Sequence, residues 1–190
     1  MPNFRTHIIS GIIGFPIFFF VFNIISYLFT KNFYSFSASE ITISYALFIL
    51  GSDFPDVDHQ KSLINRFFRI LLILVSVYYF FEYDYIFKHY IPFKGPFYYL
   101  LIIFVGISVG TLFGIIFNNT TKHRGAWHSI LTAVLLSVIL FLLNTKYYIL
   151  IKFFYSFSLF IGYITHLSLD TINTNLKKKK RIKIKNKKLR

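Results

Sequence analysis

Long apolar stretches separated by short polar clusters set the pattern of this chain. The runs at 8–29, 97–117 and 147–169 each have the length that a membrane-crossing helix needs, and 129–143 is a shorter one. Residues 67–87 are equally apolar but carry Glu82 and Asp84 near their end, which predicts a last turn already at an interface. The run at 41–50 is the weak member, because ten residues of helix rise only about 15 Å, half of a hydrocarbon core. It is expected to tilt, to re-enter, or to end inside the membrane. The pattern predicts an all-α, multispanning helical membrane protein with about five or six apolar helices.

Composition strengthens this reading: 55% of residues are hydrophobic, 22% aromatic and only 15% charged. The absence of cysteine excludes thiolate nucleophiles, Cys-ligated zinc and disulfides, so any metal must be held by nitrogen and oxygen. The net charge of +14 resembles a nucleic-acid signal until it is located, since ten of the 21 Lys and Arg residues fall in 177–190. Such a run after a membrane segment reads as a topogenic anchor to anionic lipid headgroups, and nucleic acid is the weaker partner. With six spans and the tail in the cytoplasm, Arg5, Lys61, Arg66, Arg69, Lys122 and Arg124 fall on the tail's side, and Lys31, Lys88, Lys94, Lys146 and Lys152 on the other. The tail therefore decides the orientation. The first run is long enough to span and lacks a small-x-small cleavage site, so no signal peptide is expected. One membrane domain is expected over 1–175, followed by a disordered Lys/Arg-rich cytoplasmic tail at 176–190.

The chain has seven acidic residues and six histidines, and most of them are gathered in four places. These are His7; Asp53, Asp56, Asp58 and His59; His123 and His128; and His166 with Asp170. The topology drawn from apolar lengths and lysines brings all four places to one face, the cytoplasmic one. Three aspartates within six residues at the end of an apolar segment repel one another and lose solvation, which a divalent cation offsets. Pro55 predicts a helix end, with Asp56 and Asp58 on a loop. An EF-hand is excluded, because counting from Asp53 the sixth position is Asp58 where glycine is needed and the twelfth is Ile64 where glutamate is needed. His166 and Asp170 share one helix face, one turn apart. His123 and His128 are about 140° apart on an ideal helix, and Gly125 between them predicts a loop-to-helix transition that lets them converge. Polar glue between helices is the competing explanation, but each carboxylate costs about 2.5–3.5 kcal/mol at a helix centre, and packing rarely needs so many.

The ordered motifs carry a resemblance. Thr6, His7 and Gly11; Pro55, Asp56, Asp58 and His59; His123, Arg124, Gly125, His128 and Ser129; and Gly162, Tyr163, His166 and Asp170 resemble the YdjM-like family of LexA-regulated, inner-membrane, metal-dependent hydrolases. That family is similar in turn, more remotely, to the zinc-dependent phospholipase C and nuclease superfamily. The resemblance implies hydrolysis of a phosphate ester, lipid or small molecule, at the inner membrane. The expected metal ligands are His7, Asp56, Asp58, His123, His128, His166 and Asp170, with Asp53 and His59 as orienters or general base and Arg124 holding a phosphate oxygen. Mixed nitrogen and oxygen donors suit zinc first and manganese second, as one or two ions. A transporter or channel for metal ions or protons is the alternative, and it requires ligands near the midplane or on both sides. A nucleic-acid or partner tether through the tail is a third.

Overall fold

A computed structural model describes residues 4–91, 95–121 and 125–188. Its α-helices are α1 (Phe4–Thr30), α2 (Ala38–Asp53), α3 (Leu63–Glu82), α4 (Asp84–Phe87), α5 (Pro96–Thr120), α6 (Ile130–Leu143) and α7 (Ile149–Lys188), with 3₁₀ turns at Phe54–Asp58 and Ala126–His128. No strand occurs among the described residues. Every apolar run read from the sequence lies largely in helix, and α1, α3, α5 and the Ile149–Lys180 part of α7 are long and apolar enough to cross a membrane.

Two lengths differ from expectation. The weak run at 41–50 belongs to a helix of 16 residues, because a capping box starts it earlier: Ser37 Oγ accepts from the Glu40 N–H and the Glu40 carboxylate accepts from the Ser37 N–H. That helix rises about 24 Å, still short of a hydrocarbon core of about 30 Å. The basic segment expected to be disordered from residue 176 instead continues α7 as helix to Lys188. Lysine and arginine are good helix formers, and extending an existing helix avoids the cost of nucleation.

The helices form two compact units, Met1–Pro55 with Ala126–Arg190, and Asp56–Gly125. In the first, α7 packs against α2, α6 and α1. The parallel α2 and α7 meet backbone to backbone: a Cβ on Gly51 would run into the Leu159 carbonyl, and one on Gly162 into that of Phe48. An aromatic core of Phe15, Phe48, Phe154 and Tyr155 with Ile151 fills the far part of the unit. Within the span of this core, the Ser44 and Ser158 hydroxyls hydrogen-bond across α2 and α7. Outward-facing Ile13, Ile17, Phe20, Leu131 and Leu135 are exposed, as helices facing lipid require.

In the second unit α3 lies antiparallel on α5, with Gly106, Gly110 and Gly114 turned toward Val77, Ile73 and Arg69. A Cβ at Gly110 would stand 2.5 Å from the Ile73 Cα, so these small residues set how closely the two backbones approach. One end of the pair is tied by buried Asn65, whose amide donates to the Val57 carbonyl at 2.6 Å and to Asn118 Oδ1 at 2.8 Å.

Candidate metal centre

The first unit brings together the start of α1, the end of α2, the approach to α6 and the middle of α7. His7 lies in the first turn of α1, Ser52 and Asp53 close α2, His128 stands just ahead of α6, and His166 and Asp170 are one turn apart on α7. Glycines permit the approach. Gly11, one turn along from His7, faces Ser52, and a Cβ there would sit 2.5 Å from Ser52 Oγ. Gly51 and Gly162 do the same for α2 and α7 one turn from His166.

His7 and His166 are fully buried, and their rings stack with centroids 3.8 Å apart and planes 16° apart. The His128 ring stands edge-on to His166 at 5.6 Å. Asp170 presents one oxygen to each remaining imidazole: Oδ1 is 3.8 Å from His7 Nε2 and Oδ2 is 4.0 Å from His128 Nε2. One ligand atom from each of His128, His166 and Asp170 lies within 4.8 Å of the others.

The tautomer of His166 follows from its neighbour. Its Nδ1 is 2.7 Å from the Ser52 carbonyl oxygen, which only accepts, so Nδ1 carries the proton and Nε2 of the neutral ring holds the lone pair. Metal-ligating histidines are commonly held in this way, one nitrogen on a backbone carbonyl and the other toward the ion. The spacings also suit an ion. Separations of 3.8 and 4.0 Å are too long for hydrogen bonds yet shorter than twice a metal–ligand bond of about 2.0–2.2 Å. Three imidazoles and a carboxylate form a nitrogen-and-oxygen donor set that fits zinc or manganese.

The segment bearing His128 is anchored from both sides. Buried Tyr163 donates its hydroxyl to the Trp127 carbonyl, and the Trp127 ring faces Phe54 at 5.8 Å between centroids. Ser129 then caps α6 by accepting from the Thr132 N–H at 3.2 Å.

The remaining candidates are distributed as follows. Asp53 ends α2 and is buried in the same unit. Asp56, Asp58 and His59 belong to the second unit. The expected open loop is a 3₁₀ turn, Phe54–Asp58, in which Asp58 is buried. Pro55 has no N–H to continue the α-helical ladder, but its fixed φ suits the tighter turn. The Asp56 carbonyl accepts from the His59 N–H at 3.0 Å and from Ser62 Oγ at 2.7 Å, and Ser62 in turn caps α3. His123 and Arg124 lie outside the described residues. The sequence reading did not single out Ser52, whose contribution is a main-chain oxygen that no side-chain pattern announces. Tyr163 was noted only within the motif of His166. Its place one turn before that histidine was the available signal of its role.

A family profile described as YdjM inner membrane protein matches residues 1–176. No curated protein and no solved structure matches the chain. The matched span takes in all four polar motifs and ends where the lysine run begins. The chain belongs to the YdjM inner membrane protein family.

Proposed function

We propose that this protein is a membrane-bound, metal-dependent hydrolase of a phosphate ester, with its site at the cytoplasmic face of the inner membrane. The observation that carries the reading is the Ser52 carbonyl on His166 Nδ1, which aims a lone pair at the ground shared with His128 and Asp170. A histidine recruited only for packing has no need of neighbours with that donor chemistry. His7, His128, His166 and Asp170 would hold the ion, and for Asp56 and Asp58 a ligand role rests on their motif alone.

A divalent ion bound there lowers the pKa of a water and takes up charge on the phosphoryl oxygens. Asp53, buried beside Ser52, is the proton acceptor in this reading, and His59 orients the carboxylates of its own motif. Arg124 holds a phosphate oxygen through its paired N–H donors. Support against the transport alternative comes from depth: the ligands of the first unit are gathered at one level, where α1 begins, α2 ends, α6 is about to begin and α7 passes, whereas a conduction path needs them along its length.

Metal analysis of the purified full-length protein tests the reading, alongside hydrolysis of bis(p-nitrophenyl) phosphate and of phosphatidic acid. Wild type is expected to carry one or two zinc or manganese ions per chain and to turn over at least one ester. His166→Ala is expected to lose both. Wild type that purifies without stoichiometric metal in chelator-free buffer overturns the proposal, and metal uptake into vesicles without hydrolysis favours the transporter.

A further inference from the structure

In the second unit, and lined by none of the motif residues, a cavity of about 310 Å³ opens between α3 and α5, lined by Arg66, Arg69, Ile70, Ile73, Thr111, Gly114 and Ile115. The stem of Arg69 crosses Gly114, where a Cβ would stand 3.2 Å from its Cγ. Its Nε is buried and has no hydrogen-bond acceptor among the described residues. Arg66, one turn earlier, is exposed at the cavity mouth. Among the described residues no acidic side chain lines the space, and the Thr111 hydroxyl already donates to the Ile107 carbonyl at 2.7 Å.

A guanidinium does not shed its proton, so a half-buried one whose Nε is shut off from water with its donor unused is costly until an anion meets it. Two arginines on one helix face, with an apolar floor, define that anion. Their planar donor forks match phosphate, and Ile70 and Ile115, both more than half exposed, continue the rim as lipid-facing surface. A cavity of about 310 Å³ is at the low end of ligand sites, roughly 300–1,000 Å³, and suits a phosphate with its glycerol while the acyl chains remain outside. Depth agrees. Arg69 lies six residues from the start of α3, and Gly114 six from the end of α5 at the same end of the antiparallel pair, about 9 Å along each helix. Basic pockets between membrane helices near the cytoplasmic boundary bind anionic headgroups.

We infer that Arg66 and Arg69 form a binding site for the phosphate of an anionic phospholipid. The site shares no residue with the proposed metal centre, and the inference does not rest on the hydrolase reading. It transfers the recognition of anionic lipid from the lysine tail, where charge alone suggested it, to a built cavity in the helix pair.

Native mass spectrometry of the full chain, delipidated in detergent and titrated with phosphatidylglycerol or phosphatidylcholine, tests this. Wild type is expected to retain one phosphatidylglycerol with about tenfold preference or more. Arg69→Gln is expected to abolish that preference and Arg69→Lys to restore part of it, since a lysine keeps the charge without the fork. Arg66→Gln, at an exposed position that folding does not need, is expected to weaken it several-fold, while Lys179→Gln in the tail leaves it unchanged. Equal retention of the two lipids overturns the inference, as does a preference that survives Arg66→Gln and Arg69→Gln together. Displacement of the lipid by millimolar inorganic phosphate also overturns it, by reassigning the site to a free anion.

Discussion

Asp170 holds the centre together with one side chain, turning a different oxygen toward His7 and toward His128 while sharing a helix face with His166. Its charge and its shape are therefore separable by mutation. Asp170→Asn keeps the volume and the helix but offers a neutral amide oxygen, and its cost in metal affinity is expected to be at least the 10–100-fold, roughly, that altered outer-shell partners cost. Isothermal titration with zinc measures this, with thermal unfolding of the metal-free variant as the control for packing. An unchanged affinity would remove Asp170 from the ligand set. At this scale the sequence was informative about side chains and silent about the main chain. His7, His128, His166 and Asp170 were legible because ionisable groups are scarce in an apolar chain and cannot be there without cause. The Ser52 carbonyl that sets the His166 tautomer was not legible, since every residue has one.

Close approach of α2 and α7 is what holds that carbonyl against the imidazole. Gly162 faces the Phe48 carbonyl and Gly51 faces that of Leu159, so neither helix can accept a methyl there without moving its partner's backbone. Gly162→Ala is expected to destabilise the protein by about 1–3 kcal/mol, despite alanine's better helix propensity, and to loosen metal binding as Ser52 withdraws. Gly14→Ala is the contrast: its Cβ would meet the Phe48 ring at 3.2 Å, a side chain that can yield, so near-neutral stability and unchanged metal content are expected. Thermal unfolding in detergent together with metal analysis checks both, and equal behaviour of the two variants would deny the close approach its role. Helix positions themselves were legible from apolar length, but helix ends followed from local chemistry that hydropathy ignores. The Ser37–Glu40 capping box lengthened α2, and the helix propensity of lysine carried α7 through the basic segment. The spacing of Gly106, Gly110 and Gly114 was a readable signal for a tight helix pair, and only the facing residues Val77, Ile73 and Arg69 give it a partner.

For the molecule as a whole, orientation from the sequence depended on counting spans, and the short α2 was the weakest count. The first unit replaces parity with contact. α1 starts and α2 ends at the polar end, where His128 precedes α6 and α7 passes His166 on its way to the lysines. The α1–α2 and α6–α7 connections are therefore at the opposite end, whether or not α2 and α6 are long enough to reach across an average bilayer. Because the chain has no cysteine, single cysteines can report this directly. Ser35→Cys between α1 and α2, and Lys146→Cys between α6 and α7, replace exposed residues at the far end, and Lys179→Cys replaces one in the tail. A membrane-impermeant maleimide is expected to label the first two in right-side-out vesicles and the third only in inverted ones, because the Lys/Arg excess stays cytoplasmic. Labelling of Lys179→Cys from outside would invert the protein and take the proposed metal centre away from the cytoplasmic face. Labelling of Ser35→Cys and Lys179→Cys from the same side would mean that α1 and α2 form a re-entrant pair, and the ligand end would then lie at depth within the bilayer.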